Sequence, residues 1–199
     1  MTSDSSKRNS DQFNTLSDSH LYDSFRMKGD TSSYDQLMIR YGDSLTFYLN
    51  GYTHDLQDAE DLMIEAFARI MVKRPRIKDG AFKAYLYKTA RNLASRFHEK
   101  QSHFQTFEFD DLSEEIADHI LTEELLKDKQ RKEVLHLCLD RIDPRMKEAL
   151  WLFYFEDLSY EQIADVMKLS RKQVDHLLER GKKQMKEELK KEGIDDAKQ

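Results

Sequence analysis

One cysteine, two prolines, six glycines and four valines are all that the 199 residues hold of the types that cross-link, break or favour strands. A lone Cys138 excludes an internal disulfide and any CxxC zinc or redox motif, and its ordinary role is that of a small buried apolar side chain. No apolar run exceeds the seven residues of 149–155, against about 20 for a membrane helix. No apolar core follows a basic amino end as in a signal peptide, so the expectation is a cytoplasmic protein. Net basic charge is also lacking. Acidic residues number 38 against 32 basic ones, a formal charge of −6, which argues against a uniformly basic nucleic-acid coat protein. Neither a phosphate-cradling glycine loop, nor a Ser/His/Asp arrangement, nor a metal-spaced histidine cluster can be found, and the seven histidines are scattered. No catalytic residue, metal ligand or cofactor is expected.

What is present reads as all-helical. Between Gly80 and Pro144 there is neither proline nor glycine, an interval that strands joined by tight turns could hardly fill. Residues 1–29 are crowded with Ser, Thr, Asp and Asn and are expected to be a disordered tail. Tyr34, Leu37, Met38, Tyr41, Leu45 and Tyr48 then recur at helical steps. A second helix over 58–73 buries Leu62, Met63, Ala66, Phe67, Ile70 and Met71 and is stopped by Pro75. A third, over 81–100, carries the stripe Phe82, Tyr85, Leu86, Thr89, Ala90, Leu93, Ala94 and Phe97. Together these make one helical unit over 30–101. The segment 102–128 is an acidic linker, with eight carboxylates and no Lys or Arg between residues 105 and 126. A second unit occupies 129–191, with Asp143-Pro144 as a helix cap followed by proline, and a short tail covers 192–199.

The second unit holds the most specific local signal. Ser159 and Gln162 fit a capping box, with Leu158 and Ile163 as its hydrophobic staple. Eleven residues on, Ser170 with Gln173 and Leu169 with Val174 repeat the arrangement. A short helix, a turn and a new helix form the pattern of a helix-turn-helix. Val174, Leu177, Leu178, Gly181 and Met185 line one face of the second helix, and residues 168–191 hold nine basic against four acidic side chains, a local +5. The first unit is similar, with ten basic and two acidic residues over 66–100, a local +8. Global acidity therefore conceals two basic stretches, each suited to phosphates. Phe82, Tyr85 and Tyr87 are interleaved with the second of these, as in single-strand binders. Phe82 and Tyr85 fall on the core stripe, whereas Tyr87 points away from it and is expected to be exposed.

Asp58-Ala59-Glu60-Asp61-Leu62, Glu65-Ala66-Phe67, and Phe82 with Tyr85-Leu86-Tyr87-Lys88-Thr89-Ala90-Arg91-Asn92 resemble region 2 of bacterial sigma factors. Leu158-Ser159-Tyr160-Glu161-Gln162-Ile163-Ala164, with Arg180 and Lys182-Lys183 beyond, resembles region 4. Their order and the short linker are those of the extracytoplasmic-function group. The resemblance implies a protein that binds core RNA polymerase at its clamp coiled coil and flap, directs it to promoter DNA and assists opening. Polymerase contact would fall on Asp58, Asp61, Ile64, Glu65 and Ala68. The minus-10 element would be met by Arg76, Lys78, Tyr87, Lys88, Arg91 and Asn92. The minus-35 element would be met by Arg171, Lys172, Gln173, Asp175, His176 and Arg180. An anti-sigma partner is common in the group. The chain departs from the family's usual residues at Tyr85, Ile64, Arg96 and Gly181.

Two other classes stay open on sequence. Asp58, Asp61 and Glu65 share a helical face, as in Mg²⁺-dependent all-helical nucleotide pyrophosphohydrolases, which need a second carboxylate pair opposite the first. A conventional helix-turn-helix regulator would instead be a dimer that binds duplex DNA unaided.

Overall fold

The computed structural model describes residues 16–101, 138 and 141–192, with 98–101 as helix backbone only. Among these residues there are seven helices and no strand, in agreement with the all-α expectation: α1 (Asp18–Lys28), α2 (Thr31–Thr53), α3 (Leu56–Lys73), α4 (Phe82–Gln101), α5 (Pro144–Tyr154), α6 (Tyr160–Met167) and α7 (Arg171–Lys191). The acidic linker 102–128 and the tail from residue 193 lie outside the described residues.

Local chemistry sets the helix ends of the first unit. Asp30 caps α2 through its carboxylate, which accepts from the Ser32 and Ser33 amides, and Asp55 caps α3 by accepting from Asp58 N. The α3 helix stops at Lys73 with Arg74 in the left-handed region (φ 43°), and Pro75 forbids continuation. The α2 helix packs on α1, α3 and α4. Its fully buried Tyr34 donates to Phe67 O at 2.6 Å, which fixes α2 against α3.

The amino-terminal segment requires a correction. Residues 18–28, expected to lie in a disordered tail, form α1, capped by Ser17 and closed by Gly29 at φ 73°. Leu21, Tyr22 and Phe25 are buried in the common core. Three core residues at helical spacing are enough when a preformed groove receives them, and polar composition hides so short a stripe. The helix also braces the loop after α3. Tyr22 Oη donates to Pro75 O at 2.7 Å, Ser19 Oγ accepts from Gly80 N at 2.9 Å, and the Tyr22 ring lies 5.2 Å from Phe82.

In the second unit both expected capping boxes are present, Ser159 with Gln162 and Ser170 with Gln173. Val174, Leu178, Gly181 and Met185 are buried on one face of α7 as the spacing required, with Leu177 half-buried. Gly181 allows close approach to α5, since a Cβ there would meet Leu150 Cδ1 at 3.1 Å and Met146 Cβ at 3.3 Å. Asp143 caps α5 ahead of Pro144, and Cys138 is buried.

The two units pack together. The α6 helix lies against α4, whose Ala84, Tyr87, Lys88 and Arg91 form a second stripe beside the one that faces α2 and α3. Glu148 of α5 reaches across to Arg91, with Nε to Oε1 at 2.7 Å.

Candidate polymerase- and nucleic-acid-binding surfaces

On α3 the residues Ile64, Glu65, Ala68 and Val72 stand three, four, seven and eleven positions from Asp61 and share one face with it. All five are exposed, Ile64 at 53% and Val72 at 82%, while Ala59, Leu62, Ala66, Phe67 and Ile70 are buried behind them. Asp58 is half-buried at the helix start, and Glu65 is held by Arg69 at 2.6 Å. An apolar strip between carboxylates is suited to a protein partner. The hydrolase alternative needs a carboxylate pair opposite this row. Among the described residues no three His, Cys, Asp or Glu side chains gather into a metal-holding group.

Arg76 and Lys78 stand exposed on the loop between α3 and α4. That loop is tied down on three sides, by Tyr22 and Ser19 of α1 and by Gln162 Nε2, which donates to Gly80 O at 3.2 Å. On α4 the expected set is only partly available. Lys88 is paired with Asp165, Arg91 with Glu148, and Asn92 is half-buried.

Tyr87 overturns its expectation of exposure. It is fully buried, its ring 5.1 Å from that of Tyr48 and its hydroxyl 3.0 Å from Ser44 Oγ. Burial, followed by the Glu156 carboxylate, pushes its phenol well above the ordinary range. The physical reason is that α4 is covered along two stripes, by its own unit and by the second unit. A single apolar stripe in sequence therefore underestimates how much of the helix is buried.

On α7, Arg171, Lys172, Gln173, Asp175, His176 and Arg180 are all exposed, opposite the buried face. The double capping box orients this helix by satisfying its first amides. Gln173 Oε1 is engaged in that role, accepting from Ser170 N at 2.8 Å. Arg171 pairs with Glu161 of α6 at 2.9 Å. One residue of this surface was not marked in the sequence: Arg145, exposed at the start of α5, lines the same shallow depression as Gln173, His176 and Arg180. A lone arginine after a proline carries no local signal of that placement.

The description "Sigma-70 region 2" matches residues 37–104 and "Sigma-70, region 4" matches residues 132–185. The chain belongs to the sigma-70 family, in its extracytoplasmic-function group. Relatives include the RNA polymerase sigma-H factor of Pseudomonas aeruginosa, 28% identical over 70% of this chain and 77% of that one. The ECF RNA polymerase sigma factor SigE of Mycolicibacterium smegmatis is 26% identical over 83% of this chain, which spans 65% of SigE, just under two thirds. The ECF RNA polymerase sigma factor SigM of Bacillus subtilis is 25% identical over 76% of this chain and 92% of its own length. Members of this family direct RNA polymerase to promoters, and that is the function class of this sigma factor. Sigma factors are generally non-enzymatic. Among the described residues no helix is long and apolar enough to cross a membrane.

Proposed function

We propose that this sigma factor docks on core RNA polymerase through the α3 face of Asp58, Asp61, Ile64, Glu65 and Ala68, and carries region 4 to the polymerase flap. Residues 30–101 then act as the polymerase and minus-10 unit and residues 129–191 as the minus-35 unit, with 102–128 spanning between them. Arg76, Lys78, Lys88 and Arg91 hold minus-10 phosphates, and Asn92 contacts a base that has left the stack. Tyr87 acts there only through the core. The exposed edge of α7, with Arg171, Lys172, Gln173, Asp175, His176 and Arg180, enters the major groove at the minus-35 element, as in other helix-turn-helix proteins. The protein works in the cytoplasm, performs no reaction of its own, needs no cofactor, and is a target for an anti-sigma partner covering the same faces.

The observation that carries this reading is the separation of two exposed surfaces of opposite character. One is an acidic and apolar strip on α3, and the other is a polar edge on α7 whose cations outnumber its acids. A protein partner suits the first and a phosphate backbone the second. The test is co-migration with core polymerase on size exclusion. The wild type is expected to form a stoichiometric complex, and Asp61→Arg to weaken it about ten-fold or more by reversing charge on the docking face. Asn92→Ala is expected to retain the complex and to lose promoter opening. A stable dimer that binds duplex DNA and ignores polymerase would replace this reading with a conventional regulator.

A further inference from the structure

We propose that α1 is a splint for the loop between α3 and α4, with Ser19 and Tyr22 as positioning residues that aim Arg76 and Lys78 at the phosphates of the minus-10 strand. The inference rests on the reading of those two cations given above, and adds what holds them in place. Ser19, Tyr22 and Phe25 recur at steps of three and so share one side of α1. All three meet the loop or its edge. The Arg74 guanidinium lies over the Phe25 ring, 4.8 Å from its centroid, Tyr22 Oη donates to Pro75 O at 2.7 Å, and Ser19 Oγ accepts from Gly80 N at 2.9 Å. One helix side thus grips the loop at both ends.

The grip acts on the peptide planes that carry the cations. The carbonyl of Pro75 and the amide of Arg76 belong to one rigid plane, so the Tyr22 bond fixes the direction from which the Arg76 side chain leaves. Lys78 is set from the other end. Its carbonyl accepts from Ala81 N at 3.1 Å, closing a turn around Gly80, whose own amide is the one that Ser19 holds. Gly80 takes φ 69° there, a conformation that glycine adopts freely. Between the two anchors Ile77 packs on the core, while Arg76, Lys78 and Asp79 stand exposed.

Reach explains why such a loop needs a splint. The chain from Arg74 to Gly80 could span about 20 Å when extended, and Pro75 has no amide with which to build regular structure. From Ser19 to Phe25 the α1 helix advances only about 9 Å. A segment so long on so short a base arches outward. Ordering the arch in advance removes the entropy that a loose loop loses on meeting the strand. The Tyr22 hydroxyl is separable from the packing of its ring, which is 2% exposed and lies 5.2 Å from that of Phe82 in the first turn of α4. Burial pushes the phenol up to about 12, so it stays a donor at neutral pH. None of the three contacts touches the exposed row of α3.

The test measures binding of the full chain, assembled with core polymerase, to a promoter duplex with a preformed bubble over the minus-10 element. In the wild type, Arg76→Ala is expected to weaken binding about ten-fold, since a hydrogen bond to a charged group is lost. Tyr22→Phe keeps the ring and is expected to weaken binding roughly three-fold. In that background Arg76→Ala is expected to cost only roughly three-fold, because an arginine no longer aimed has less to lose. Ser19→Ala and Lys78→Ala are expected to couple in the same way, and Ser19→Thr, which keeps an acceptor, to restore the full effect of Lys78→Ala. Arg180→Ala on α7 is expected to combine with Tyr22→Phe without coupling, so that coupling is confined to the loop. Full additivity of the loop pairs in variants folded by circular dichroism, or binding by Tyr22→Phe and Ser19→Ala equal to the wild type, overturns the splint alone. Arg76→Ala and Lys78→Ala that both bind as the wild type does overturn the reading of the loop, and the splint with it.

Discussion

The two units of this sigma factor are held together by interactions of different range. Region 2 buries hydroxyls: Tyr22, Tyr34, Tyr41, Tyr48, Tyr52 and Tyr87 all sit in its core, and their partners are distant in sequence, Pro75, Phe67, Asp18, Glu148 and Ser44 among them. Region 4 buries no tyrosine fully among its described residues. Its core is non-aromatic apart from Trp151, and its helix amino ends are satisfied locally by caps at Asp143, Ser159 and Ser170, while its buried Glu148 and Glu156 reach groups of region 2. The difference determines which perturbation each unit feels, and which of them a linear sequence reveals.

Alkaline pH is expected to give the largest separation. Burial pushes the Tyr22 phenol up to about 12, and it raises Tyr34, Tyr41, Tyr48, Tyr52 and Tyr87 further. The folded chain keeps these protons while the unfolded chain releases them near pH 10. Stability is therefore untouched below pH 10 and falls as pH rises through 10 towards 12. Six phenols acting together make the fall steep. Tyrosinate absorbance followed alongside helical circular dichroism is expected to show late, cooperative ionisation coinciding with loss of region 2 helix. Smooth ionisation at pH 10 with the helices intact would remove the contrast.

A core truncation probes the other side. Leu178 is 1% exposed on the inner face of α7, and Leu178→Ala is expected to cost about 2–5 kcal/mol of region 4 stability in urea melts. Arg171→Ala, on the outer edge of the same helix, is expected to change stability by no more than about 0.5 kcal/mol while weakening minus-35 binding. Equal losses of stability would show that the outer edge is structural.

The range of each interaction also explains how far the molecule was legible before its structure. The helix-turn-helix was readable to the residue, because Ser159, Gln162, Ser170 and Gln173 act across three positions each and the staples across five. The exposed row of α3 was readable for the same reason, since it repeats within one helix. Helix α1 was not, because Leu21, Tyr22 and Phe25 make sense only against a groove formed by residues further along the chain. Tyr87 was misplaced because its burial is completed by another unit. Arg91 seemed a plain phosphate ligand, and its partner Glu148 lies 57 positions away within a run that reads as ordinary amphipathic helix. The charges that join the units carry no local signature at all.

The caps offer the smallest and sharpest contrast. Ser159→Ala and Ser170→Ala each remove a side-chain acceptor 3.3 Å from an N3 amide, of Gln162 and Gln173 respectively, and disturb the reciprocal glutamine contact at 2.8 Å. Each is expected to cost about 1 kcal/mol, read as a lower urea midpoint for region 4 with region 2 unmoved. The two should part company in function. Ser170 sets the first turn of α7, where Arg171, Lys172 and Gln173 stand exposed, so its loss also frays the edge proposed to meet DNA. Ser159 caps α6, which faces α4 through Asp165, so its loss loosens the contact with α4 while leaving α7 formed. Ser170→Ala should therefore weaken minus-35 binding more than Ser159→Ala at equal stability cost. Identical binding by the two would show that the order of the α7 amino end contributes nothing to recognition beyond folding.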